Sequence, residues 1–201
     1  VLAYPLSVFL LLIFAGLPAC AQEPRPPTAE ERAAAESAPL FSSHEVVTVT
    51  LEADFRALRR EDREQESEER PAVLRWSLPN GESGALDIQV RTRGNFRLAK
   101  RNCDWPPLRL NIRTGDAEGT VFEGQDKLKL VGVCKAKQDY WEEYVILEYL
   151  AYRTFGLFTP LSFRVRPLRI TYVDTGGEEE TFTRFGFLLE DDSQMAARNG
   201  G

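Results

Sequence analysis

Between Phe122 and Phe155 the sequence reads FEGQDKLKLVGVCKAKQDYWEEYVILEYLAYRTF. Lys127 and Lys129 sit two apart in an apolar run, so an extended strand presents both on one face. Glu143 and Glu148 follow in an aromatic stretch with helical periodicity. Buried charge is costly unless paired, so a lysine strand running into a glutamate helix predicts an internal ion pair. A lysine fixed in this way can neutralise phosphate. The same residues also fit a plainer account. There the lysines line a solvated strand face, and Glu148 bridges to Arg164 or Arg166.

A second candidate lies upstream, in Arg91-Thr92-Arg93-Gly94-Asn95. Two guanidiniums on one strand face stand beside a Gly-Asn corner whose backbone amides can approach an anion. The alternative is an exposed strand edge with a tight turn.

Seven stretches read as strands: 45–51, 72–78, 86–93, 108–112, 127–133, 162–173 and 181–189. Asn80-Gly81 joins the second and third as a hairpin, and Gly176-Gly177 joins the last two. Pro167 marks an edge position or a bulge. The charge run 56–70 reads as a solvated helix or loop. Residues 138–155 read as one helix ended by Gly156. On a helical wheel Tyr140, Glu143, Leu147, Leu150 and Thr154 form one stripe, with Tyr144, Glu148, Ala151 and Phe155 beside it. Glu142, Tyr149 and Arg153 fall opposite. Glu143 and Glu148 are therefore expected in apolar surroundings and Glu142 outside them, in a helix clasped between a sheet and another body. Residues 193–199 read as the start of a further helix.

The formal net charge of -6 lacks the basic footprint of a nucleic-acid binder. His44 is the single histidine, which leaves too few ligands for the common Cys/His zinc sites, and the same scarcity points away from a Ser-His-Asp or Cys-His machine. Residues 6–17 are apolar and of signal-peptide length, short for a bilayer span. The chain starts at Val1 without a basic region, so the reading is a signal peptide over 1–21 whose beginning lies upstream. Ala19-Cys20-Ala21 fits ordinary cleavage, and Leu17-Pro18-Ala19-Cys20 resembles a lipobox with Cys20 lipidated. The expectation is export to the periplasm, the outer envelope or the medium, with membrane contact only through the signal peptide or a lipid anchor at Cys20. In an oxidising compartment Cys103 and Cys134 read as a disulfide. Residues 22–44 read as a Pro/Ala/Glu-rich tether, 45–192 as one lobe, and 193–201 as the start of a further C-terminal part.

Strands, a lysine strand, a glutamate helix, two antiparallel strands and an acidic connector follow one another as in a protein-kinase N-lobe. The sequence resembles the CotH-type family, an atypical protein-kinase-like group named from spore-coat proteins. Three stretches carry the likeness: Val90-Arg91-Thr92-Arg93-Gly94-Asn95, Leu147-Glu148-Tyr149-Leu150-Ala151-Tyr152-Arg153, and Phe185-Gly186-Phe187-Leu188-Leu189-Glu190. It spans about residues 45–199. The resemblance implies an α+β lobe, an antiparallel β-sheet with one long packed helix. It also implies ATP and Mg2+ as cofactors, with phosphoryl transfer to a protein. Lys129, or Lys127 in its place, would neutralise the phosphates, and Glu148, or Glu143, would hold that lysine. Arg93, Gly94 and Asn95 would lie near the nucleotide, and Glu190 and Asp191 at the hinge that binds adenine. The Mg2+ carboxylates would come from a C-terminal lobe beyond Gly201. Phe96 stands where the family often has serine. The alternative function is a non-catalytic cell-envelope protein whose β-rich lobe binds a partner or a polysaccharide.

Overall fold

Alternating apolar and polar residues form seven strands: β1 (Val47–Ala53), β2 (Arg70–Ser77), β3 (Ser83–Thr92), β4 (Leu108–Asn111), β5 (Lys127–Val131), β6 (Val165–Asp174) and β7 (Phe182–Leu189). The helices are α1 (Ala29–Ser37), α2 (Phe55–Arg60), α3 (Trp141–Gly156) and α4 (Asp192–Asn199). This is a computed structural model, which describes residues 26–61 and 67–201. The signal-peptide and lipobox readings, Cys20 included, and positions 62–66 of the charge run lie outside the described residues.

The strands close into a barrel in the order β1-β2-β3-β4-β5-β7-β6. Every pairing is antiparallel except the last, where β1 runs parallel to β6 from Val47↔Leu168 to Ala53↔Asp174. Pro167 lies one residue before that pairing begins, where β6 has only β7 beside it, so its missing N–H costs no ladder bond. The hairpin turn at Asn80-Gly81 forms as read, with Gly81 at φ 91, a conformation that favours glycine.

The inward face of each strand supplies the core. Val49, Leu51, Leu74, Ile88, Val90, Leu110, Leu128 and Ile170 are buried inside the barrel. One end is plugged by aromatic rings, with Phe55, Tyr172 and Phe182 each within 5.5 Å of a neighbouring ring centroid. A second, smaller cluster of Val131, Val145, Val165, Phe187 and Leu189 lies outside the barrel wall, under α3.

The expected open antiparallel sheet of a kinase-like N-lobe is corrected by this closure. An open sheet would bury its inner face against the helix. Here that face packs against the opposite wall of the same sheet, and α3 covers only part of the outside. The tether reading of residues 22–44 also missed packed structure. Thr28 and Glu31 form a reciprocal capping box that starts α1. Leu40 and Phe41 are buried in the core, and Arg164 Nη1 donates to the Glu36 carbonyl at 2.9 Å.

The helix α3 sits with the face opposite to the expected one against the barrel. Val145 is its buried residue, with Trp141, Tyr149 and Tyr152 packed beside it. Glu142, expected outside, accepts from the Phe185 amide at 2.6 Å and from Arg169 at 3.1 Å. Glu143 and Glu148, expected in apolar surroundings, are exposed. The outer wall of β6 and β7 offers a free backbone amide and an arginine, and these are better satisfied by Glu142 than by a leucine stripe.

Candidate functional site

The strands β3, β4 and β5 lie side by side, and their register sets Arg91 opposite Arg109 and Arg109 opposite Lys129. The residues alternating with them, Val90, Leu108, Leu110, Leu128 and Leu130, are buried inside. All three cations therefore point out of the barrel. Like charges directly opposite one another destabilise a sheet. A row of three across adjacent strands is a cost that an anion would relieve.

Two further guanidiniums border the row. Arg93 follows the end of β3, where Gly94 at φ 78 turns the chain away. Burial lowers the Arg93 pKa, with Arg97 and Arg109 adding repulsion and Glu148 and Tyr152 opposing it. Burial lowers the Arg97 pKa as well, against Glu148 and Tyr172. Arg97 Nη2 donates to the Gly132 carbonyl. The Nε atoms of Arg93 and Arg109 are buried without a hydrogen-bond partner. The Nε atoms of Arg70, Arg166 and Arg184 share this state elsewhere, and each such donor has room for a water or a ligand.

The far end of the row is acidic. Lys129 Nζ bonds Asp192 Oδ1 at 2.6 Å and lies 5.1 Å from the Phe163 ring centroid. Asp191 caps α4 through Ser193. Burial alone would raise the Asp191 pKa. Hydrogen bonds from Ser193 and the fields of Arg109 and Lys129 bring it below the ordinary value.

Beside the row a groove of about 490 Å3 runs between the loop after β3 and α3. Phe96, Arg97, Trp141, Tyr144 and Glu148 line it, and Cys103 and Cys134 form part of its wall. The expected disulfide joins these two cysteines, with Cα atoms 4.7 Å apart. The amides of Asp104 and Trp105 both donate to the Cys134 carbonyl, at 3.0 and 3.1 Å. The loop carrying Arg97 is thus fixed to the end of β5 twice, once covalently and once by hydrogen bonds.

Several sequence-based roles change. Lys129 is held by Asp192, and no ion pair joins it to Glu148 or Glu143 among the described residues. Glu148 acts instead on Arg93, Arg97 and Tyr152. The plainer bridge from Glu148 to Arg164 or Arg166 does not form either. Arg164 pairs with Glu190, and Arg166 Nη1 donates to the Leu40 carbonyl at 3.4 Å. Lys127 faces outward beyond the row and lies 3.5 Å from Asp126. Asn95 is exposed at the turn. Glu190 is fully buried, with Arg164 and Arg198 on its two oxygens. Its carboxylate is committed to the fold.

Arg109, Arg97 and Asp192 were missed. Arg109 alternates with Leu108 and Leu110, which marks it as outward-facing. Its place between Arg91 and Lys129 depends on register, which the sequence does not show. No protein-family model matches the chain, and comparison with curated proteins and with solved structures found no match.

Proposed function

We propose that the protein binds a phosphate-bearing ligand, a nucleotide such as ATP, on the outer barrel wall formed by β3, β4 and β5. The observation that carries this reading is the cation row Arg91–Arg109–Lys129, with Arg93 at its edge and two guanidinium Nε atoms lacking partners. Arginine forks suit phosphate oxygens, and lysine adds a point charge. The CotH-type resemblance supports the same ligand class, through Arg93 and Lys129.

A phosphotransferase reading adds Mg2+ and a protein acceptor. Nucleotide-bound Mg2+ takes its ligands largely from phosphates and water, with one or two carboxylates. Asp191 and Asp192 are the carboxylates beside Lys129, yet both are engaged, in the α4 cap and the lysine pair. Among the described residues no group of three or more His, Cys, Asp or Glu could hold a metal. This donor set fits a metal carried in on phosphates and does not fit a resident one.

Thermal unfolding with and without ATP and Mg2+ tests the reading. The wild type should be stabilised, and Arg109→Ala and Lys129→Ala should each reduce the shift. No shift in the wild type would sink the proposal. An undiminished shift in both variants would move the ligand elsewhere.

The non-catalytic envelope reading has one observation of its own in its favour. The outer face of α3 is apolar and exposed, which fits a surface that meets another macromolecule.

A further inference from the structure

Because α3 meets the barrel through Trp141, Val145, Tyr149 and Tyr152, its other side has no partner among the described residues. That side carries Tyr140, Tyr144, Leu147, Leu150 and Phe155, with Phe158 just past the helix end, and these are between 49% and 81% exposed. Leu157 and Leu161 extend the patch past the helix end. Tyr140, Tyr144, Leu147, Ala151, Thr154 and Phe158 are spaced alternately four and three residues apart. This is the repeat of a helix seam that packs against another helix.

We propose that this face docks a second copy of the chain, α3 against α3, in antiparallel orientation about a two-fold axis. Area, charge and spacing support that occupant. Taking roughly 200 Å2 for a fully exposed large side chain, the eight apolar residues offer on the order of 1,000 Å2. The largest apolar patch of an ordinary monomer is about 300–600 Å2, whereas a stable complex needs about 800 Å2 per partner.

The exposed charges along the helix favour one orientation. Of the acids in the first half, Glu142 is turned to Arg169 and the Phe185 amide, and Glu143 and Glu148 are exposed. From Tyr149 to Val173 there is no acidic residue, and Arg153 lies in the last turn of α3. Antiparallel pairing keeps the exposed acids of one helix away from those of the other and sets each helix N-terminus beside the other's C-terminus. Parallel pairing would stack the acids. Spacing agrees, because an isologous contact needs one patch that fits itself, and a four-three repeat along one helix can pack against its own copy.

The docking is independent of the phosphate-binding reading. Tyr144 belongs both to this face and to the groove beside Glu148, so a second copy would also flank the groove.

Sedimentation velocity of the full chain, without nucleotide, tests the proposal. The wild type should sediment with the mass of two chains at micromolar concentration. The double variant Leu147→Glu, Leu150→Glu should dimerise at least 10-fold more weakly while keeping the wild-type circular dichroism. Tyr144→Ala, which adds no charge, should weaken the dimer in the same direction. A wild type that stays monomeric overturns the proposal, and so does a dimer unmoved by these substitutions. A monomer that binds phosphatidylglycerol vesicles through this face would assign it to a membrane surface and equally overturn it.

Discussion

Lys129 on β5 and Asp192 at the start of α4 are joined by a 2.6 Å hydrogen bond, in the position where an ion pair from Lys129 to α3 is expected. The lysine side chain is 13% exposed and the aspartate 63%. The pair closes the acidic end of the cation row. A ligand phosphate at Lys129 would compete with this carboxylate.

That competition predicts opposite effects of the two partners. Asp192→Asn should tighten ATP binding and Lys129→Ala should weaken it, measured by titration calorimetry. Because the aspartate is largely solvated, Asp192→Asn should move stability by only about 1 kcal/mol. Tightening in both variants would show that Lys129 does not meet the ligand.

Reducing the disulfide should destabilise the fold without abolishing it. The bond closes a separation of 31 residues, worth about 3–4 kcal/mol by chain entropy. Two backbone bonds to the Cys134 carbonyl would remain. Cys103→Ala with Cys134→Ala should lower Tm by about 10 °C and leave the far-ultraviolet spectrum unchanged. An unchanged Tm would contradict the assigned bond.

Glu190 should be the most sensitive carboxylate among the described residues. Its side chain is fully buried and accepts from Arg164 Nε and Arg198 Nε at 3.0 Å and from the Arg164 amide at 3.1 Å. Removing one member of a buried ionic cluster strands the others, at about 3–5 kcal/mol. Glu190→Ala should lose stability on that scale in urea unfolding. A loss below about 1 kcal/mol would show that the cluster is not buried in solution.

The single histidine gives a clean pH probe. Burial, then Arg153 and Arg166, hold the His44 pKa below the ordinary 6.5. A folded-state value below the unfolded one favours the neutral ring on folding. Its contribution is whole above pH 6.5 and is lost as pH falls from there through the lower folded value. The His44 resonance should titrate below pH 6.5, and Arg153→Ala should move the midpoint upward. A midpoint at or above 6.5 in the wild type would refute the electrostatic contact.

Much of this protein was legible one strand at a time. Alternation in 127–133 set Lys127 and Lys129 on one face of a strand, because side chains in a strand alternate between its faces. Asn80-Gly81 marked its hairpin because few other residues accept that turn. Export logic paired Cys103 with Cys134. Two matters were left to tertiary structure. The parallel pairing of β1 with β6, which turns an open sheet into a barrel, joins segments more than a hundred residues apart and leaves no local pattern. The other is the side of α3 that meets the barrel. Its composition favoured the leucine stripe, but the Phe185 amide and Arg169 required a carboxylate, and Glu142 was the one in reach. That choice turned Leu147 and Leu150 outward and freed Glu148 from Lys129. The sequence by itself determined which residues share a strand face. Only the tertiary structure decided which charges meet, because strand register and helix rotation set those distances.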